Sequence, residues 1–200
     1  MIAWKLGGRS GKVILRILQI REMGKTRKWN KLLKLLRLRK IPHGIYYRQV
    51  RLQNWEALEA AKALAKFPDE TVPLLEKELN SGETNAWVLY ALGLCRTPQA
   101  VALLKEKAEK EGNIWSIISI VYALSLAGEE GRKALDELSR TGTGRFKTAV
   151  QWYRRWRGRG MIGEEIRFPE IPGDIKLPKA RLGLIGRFLG CLLWLAPSRN

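Results

Sequence analysis

The chain has 200 residues, 46% hydrophobic and 28% charged, which suits one domain with appendages and argues against wholesale disorder. Its 37 Lys and Arg against 19 Asp and Glu leave a net charge of +18, a surplus that points to a polyanionic partner: nucleic acid, an acidic protein or an anionic membrane face. Two cysteines far apart, Cys95 and Cys191, offer neither a disulfide framework nor a CxxC metal knuckle, and fit a reducing cytoplasm.

The surplus is concentrated at the two ends. Residues 1–55 carry 15 basic and 1 acidic side chain, residues 56–137 carry 9 and 14, and residues 138–200 carry 13 and 4. At the start, Met1 to Ser10 lacks the charged-then-apolar layout of a secretory signal. Gly7-Gly-Arg-Ser-Gly-Lys-Val13 approaches a phosphate-binding loop but has Leu6 and Val13 where that loop needs Gly and Ser or Thr. A helix is predicted over Ser10–Met23, with Val13, Ile14, Ile17, Leu18 and Ile20 apolar. Gly24-Lys-Thr turns the chain, and a second helix is predicted over Trp29–Lys40, apolar at Leu32, Leu33, Leu35, Leu36 and Leu38. Lys28 precedes it, and Lys31, Lys34 and Arg37 recur every third residue as one basic stripe. Residues 1–44 therefore read as a basic helical hairpin that caps the first repeat with its leucines and meets phosphates with its cations. His43, in the turn Ile41-Pro-His-Gly, reads as a loop residue with no partner for metal or nucleophile chemistry.

The middle of the chain repeats. Ala63-Leu64-Ala-Lys-Phe-Pro68, Ala91-Leu92-Gly-Leu-Cys-Arg-Thr-Pro98 and Ala123-Leu124-Ser-Leu-Ala-Gly128 each end one helix and begin another. The Ala-Leu pair recurs after 28 and then 32 positions, each time followed by leucine anchors at Leu74-Leu75, Leu103-Leu104 and Leu135. Two helices in each unit of about 30 residues are the mark of an α-solenoid. Thr97 is expected to cap and Pro98 to open a helix, with Val101, Leu104 and Ala108 on its buried face. Gly112 is expected to stop that helix in the left-handed conformation, with Ser81-Gly82 and Ala127-Gly128 acting likewise, and Asn113 to cap the next.

The pattern Ala-Leu-x-x-(Phe or Cys)…Pro-x-x-Val-x-Leu-Leu-x-x-x-Leu, over roughly residues 45–156, resembles the HEAT-like repeats of the phycobilisome-lyase type. The resemblance implies an all-α chain with a solenoid domain over 45–157. It says little of function, because such repeats serve lyases, DNA-repair proteins and adaptors. The sequence departs from the pattern twice. The Val-Arg pair of the first helix occurs once, as Val50-Arg51, and the third repeat has Gly128-Glu-Glu-Gly131 where Pro is expected.

At the far end, Arg154, Arg155, Arg157 and Arg159 surround Trp152 and Trp156. The two indoles, at i and i+4 on one helical face, are expected to close the last repeat's core. The arginines lack a carboxylate within a turn and fit phosphate pairing, with the indoles as a stacking surface for bases. Pro169, Pro172 and Pro178 then impose an extended strap on Gly158–Pro178. A last apolar helix, with Leu182, Ile185, Phe188, Leu189, Leu192 and Trp194, is expected to dock on the protein, a partner or a membrane surface. Residues 158–200 form this strap-and-helix unit. Both Leu182–Ala196 and Val13–Ile20 are shorter than the ~20 apolar residues that span a bilayer.

The expected function is that of a non-enzymatic scaffold or adaptor, without cofactor or metal, that binds nucleic acid or an acidic protein through its basic ends, in the cytoplasm. The alternative is a scaffold peripheral to an anionic membrane or joining proteins. The family resemblance admits a DNA glycosylase or a lyase as a third reading, but no residue here maps onto such a site, and the acidic middle argues against a basic central groove.

Overall fold

A computed structural model describes residues 9–37, 55–81 and 84–158. All of these belong to the first of two compact units, residues 1–166; the second, residues 167–200, lies outside the described residues. The expected strap beyond Gly158, the apolar C-terminal helix, His43, Val50-Arg51 and Arg159 lie outside them too, and Gly158 itself ends a helix. Among the described residues every regular element is an α-helix and no strand occurs. The helices are α1 (Arg9–Lys25), α2 (Trp29–Arg37), α3 (Trp55–Leu64), α4 (Pro68–Asn80), α5 (Ala86–Cys95), α6 (Pro98–Lys110), α7 (Ile114–Leu126), α8 (Gly128–Thr141) and α9 (Gly144–Gly158).

Local chemistry sets most of these limits. The Thr97 hydroxyl accepts a bond from the Ala100 N–H at 3.2 Å, and Pro98 opens α6 where its missing N–H goes unneeded. Asn113 caps α7 by accepting from the Trp115 N–H at 2.9 Å. Asn85 does the same for α5 through the Trp87 N–H, and its own amide donates to the Leu36 carbonyl, tying the start of α5 to the end of α2.

Of the two expected glycine stops that the described residues include, one holds. Gly128 is left-handed at φ +77, whereas Gly112 is not: α6 ends in extended backbone at Glu111. Ser81 ends α4 in ordinary right-handed backbone, and Gly82 lies outside the described residues. The left-handed stop of α5 falls instead on Arg96, at φ 55. The missing proline of the third repeat has a conformational reason: Gly128 stands at φ +77, which a proline ring, locked near −65°, cannot adopt. A Cβ on Gly131 would lie 2.1 Å from the Leu124 carbonyl oxygen, so the first turn of α8 presses on the last turn of α7. There Gly128 turns the chain sharply and Gly131 leaves room for the contact.

The packing follows sequence order in two rows. One runs α1, α3, α5, α7, α9, each helix touching the next, and α4, α6 and α8 form the other. Helix α2 packs on α1 and α3 and reaches α4 through side chains. Leu92, Leu104 and Leu124 are fully buried, as the spacing predicts; Val101 and Ala108 join them while Glu106, Glu109 and Lys110 face solvent. Burying each leucine contributes about 1.5–3 kcal/mol.

Helices α5 and α7 carry no single apolar stripe. They are apolar nearly all round and buried on nearly every face, because neighbours from both rows surround them. Aromatic rings cross this inner row in contact. Trp87 meets Tyr90 edge-on at 5.9 Å, Tyr90 stacks on Tyr122 at 6.0 Å, and Tyr122 meets Tyr153 at 6.4 Å.

Candidate polyanion-binding surfaces

The basic N-terminal hairpin uses much of its charge internally. Arg16 and Arg21 on α1 pair with Glu56 and Glu59 on α3 at 3.1 and 2.9 Å. Arg27, in the turn, pairs with Glu70 on α4 at 3.4 Å, and Glu70 also accepts the Trp29 indole N–H at 3.3 Å. Arg37 grips Glu78 with both arms of its guanidinium. The Glu78 side chain is only 9% exposed, and the hydrogen bonds from Arg37 hold its carboxyl below the usual range. Glu59 is buried at 3%.

The acidic middle of the sequence is thus in part the docking surface for the basic start. The stripe Lys28, Lys31, Lys34, Arg37 is corrected accordingly. Arg37 belongs to an intramolecular ion pair, whereas Lys28, Lys31 and Lys34 are exposed, and among the described residues no carboxylate pairs with them.

Helix α9 behaves differently. Its buried face is Phe146, Ala149, Val150 and Tyr153, at i, i+3, i+4 and i+7, which pack on α7 and α8. Trp152 is therefore not the core closure that its pairing with Trp156 predicts: it stays 38% exposed, its ring 6.4 Å from that of Trp115, itself 37% exposed. The Trp156 side chain lies outside the described set. Arg154, Arg155 and Arg157 are exposed. Arg154 has a carboxylate partner well beyond its own turn of helix, Asp136 on α8, at 3.4 Å. Helix α2 packs on α1 and α3 and α9 on α7 and α8, so the two expected basic clusters belong to opposite ends of the packing order.

The structure adds a feature that sequence reading did not reach. A cleft of about 440 Å³ opens where the last turns of α7 and α9 meet the start of α8 and the end of α5. Arg96, Arg132, Arg154 and Arg157 line it, with Asp136 as the one carboxylate among the described lining residues, and Val121, Leu126 and Val150 form apolar wall. Arg96 comes from the left-handed stop of α5, and its Nε–H donates to the Leu126 carbonyl, closing the end of α7 at 3.2 Å. Arg132, on α8, pairs with Glu129 at 2.8 Å. The signal in the sequence was faint, since each arginine stands near a helix end, an ordinary place for a cation or an ion pair.

Elsewhere the chemistry is structural. Burial pushes the Cys95 thiol up to about 12, so it stays protonated at neutral pH. Burial also raises the Glu111 carboxyl, but bonds from Thr84 at 2.6 Å and from the Asn113 N–H, with Lys107 nearby, outweigh it and leave the group low. Among the described residues no three His, Cys, Asp or Glu side chains group as a metal ligand set, and no helix is long and apolar enough to cross a membrane.

No family model, curated protein or solved structure matches the chain.

Proposed function

We propose that the chain is a short HEAT-like α-solenoid that works as a non-enzymatic scaffold, binding a polyanion, nucleic acid first, through its two basic ends. The in-order packing of α4 to α8, each helix on its chain neighbours and next-but-one neighbours, supports the solenoid part of this reading. The polyanion part rests on one observation: cations stand exposed at both ends. Lys28, Lys31 and Lys34 face solvent at one end, and Arg154, Arg155 and Arg157 at the other, beside the half-open Trp115–Trp152 pair. Exposed rings among guanidiniums suit bases stacked on indole with phosphates on arginine, a mode tolerant of base sequence.

The test is binding of the full chain to single-stranded DNA, duplex DNA, RNA and anionic liposomes across a salt series. Phosphate contacts release counterions, so four on a duplex should weaken binding by roughly two orders of magnitude between 50 and 200 mM salt. Absence of binding to every nucleic acid at low salt overturns the proposal. Tight liposome binding in that case replaces it with a scaffold peripheral to a membrane.

A further inference from the structure

The two clusters of exposed cations lie far apart in the packing. Lys28 precedes α2, and Lys31 and Lys34 lie on it; all three are exposed. On α9, Lys147, Arg154 and Arg155 stand at i, i+7 and i+8, one exposed stripe turned away from the buried Phe146, Ala149 and Tyr153. From α2 to α9 the packing runs through α3, α5 and α7, each helix on the next. At about 8–10 Å for each packed pair, the two clusters are on the order of 30 Å apart.

The body between them offers little to a polyanion. Residues 56–137 carry 9 basic and 14 acidic side chains. Arg16, Arg21, Arg27 and Arg37 offset Glu56, Glu59, Glu70 and Glu78, which brings this body close to neutrality. Its outer helices also tie cations of their own into ion pairs, Lys105 with Glu137 at 2.6 Å and Lys110 with Glu106 at 2.5 Å. A phosphate backbone laid over such a surface displaces few counterions and gains little. Salt completes the separation. The Debye length is about 8 Å at physiological ionic strength, so across ~30 Å neither cluster feels the other.

We infer that the two ends are separate phosphate seats, and that the chain bridges two segments of nucleic acid instead of lying along one. This rests on the proposed nucleic-acid function and adds valency to it. The segments belong to two molecules or to distant stretches of one. Once the first seat is filled on a long strand, the second meets phosphates at high effective concentration, and the bridge closes on the same molecule where its length allows. A single continuous basic groove coats nucleic acid; two seats set apart gather it.

The experiment uses the full chain at low salt and a DNA hairpin with a stem of six base pairs and a loop of four unpaired bases. The stem is about 20 Å long at roughly 3.4 Å per pair, too short to reach both clusters. Half of the hairpins carry a donor fluorophore and half an acceptor. Two hairpins are expected to bind each chain and to bring donor and acceptor together. Energy transfer should rise with added protein, then fall once chains outnumber hairpins and each hairpin has a chain of its own. The triple change Lys28→Gln, Lys31→Gln, Lys34→Gln should cut the stoichiometry to one and abolish energy transfer. So should Lys147→Gln, Arg154→Gln, Arg155→Gln at the other end. The hairpin still bound in each variant should keep its affinity within about twofold, because distant sites act independently. Exposed positions of this kind leave the thermal midpoint nearly in place, which separates a lost seat from a lost fold.

Each other outcome decides. One hairpin per chain without energy transfer overturns the bridge and leaves the polyanion reading standing. Energy transfer that survives in both variants comes from association between copies of the chain, and overturns the two seats. A variant that unfolds shows its cations to be structural and overturns their assignment as a seat. No hairpin bound by the wild type overturns the bridge and the polyanion reading together.

Discussion

The two basic ends of this protein hold similar residues in different physical states. At the N-terminal end, Arg16, Arg21, Arg27 and Arg37 each reach a glutamate on the helix they dock against, and two of those glutamates, Glu59 and Glu78, are nearly enclosed. At the C-terminal end, Arg154 meets only an exposed aspartate, and the arginines of α9 stand around an open indole pair and a cleft. An enclosed carboxylate without its cation keeps its desolvation penalty, while an exposed one returns to water. The same residue type is thus part of the fold at one end and surface at the other. Net charge read from sequence does not distinguish them.

That contrast can be broken by substitution, and the repeat core sets the scale. Leu104→Ala, in the body that both ends share, should destabilise by ~2–5 kcal/mol in a urea titration through lost transfer energy and a cavity. An effect below ~0.5 kcal/mol would show that the face of α6 had been misassigned. Next comes Arg21→Gln, which strips the hydrogen-bonded cation from buried Glu59 and should cost about 1.5–3 kcal/mol. The double change Arg21→Gln with Glu59→Gln should recover part of that loss, since no charge is then left buried.

Arg37→Gln should cost less, about 1 kcal/mol at pH 7, and its cost should depend on acidity. Arg37 holds the folded Glu78 carboxyl below its unfolded value, so the stabilisation is present above the unfolded value of about 4.3 and lost as pH falls through the lower folded one. The gap in thermal midpoint between wild type and variant should therefore be open at about pH 6 and close well below about pH 4. A gap that widens in acid would reverse the assigned sign.

The smallest change in stability belongs to the other end. Arg154→Gln with Arg155→Gln should leave the thermal midpoint within the ~0.5 kcal/mol typical of surface sites. The same pair should reduce the slope of log K against log salt on single strands by about 1.4, at roughly 0.7 for each lost contact. If those two changes instead unfold the protein, the arginines of α9 are as structural as those of the N-terminal hairpin.

How far the sequence could be read depends on the distance over which each feature is encoded. The starts of α4, α6, α7 and α8 were legible because Pro68, Pro98, Thr97, Asn113 and Gly128 act within a turn of their own position. The buried leucines were legible because period 3.6 is a local signal. The ion pairs of the N-terminal hairpin were not, for their partners lie 38 to 43 residues away. On α9 the indoles drew the reading away from Phe146, Ala149, Val150 and Tyr153, whose spacing was the better guide to burial. The cleft joins Arg96, Arg132 and Arg157 from three separate helical units, and no pattern within one of them announces it.

The rings of Tyr90, Tyr122 and Tyr153 have a consequence for how the molecule comes apart. They come from α5, α7 and α9 and touch in that order. In a nearest-neighbour array, unravelling starts where an element has a neighbour on one side only, and the coupling between adjacent elements sets how far it spreads. The tyrosines are two such couplings in series, and Tyr153 is the last of the three. Chromophores fixed in an asymmetric array give near-ultraviolet circular dichroism, so this row reports its own integrity. If α9 peels away alone, the aromatic signal should fall while the far-ultraviolet helical signal is largely kept. If the couplings hold the row together, both should vanish in a single transition.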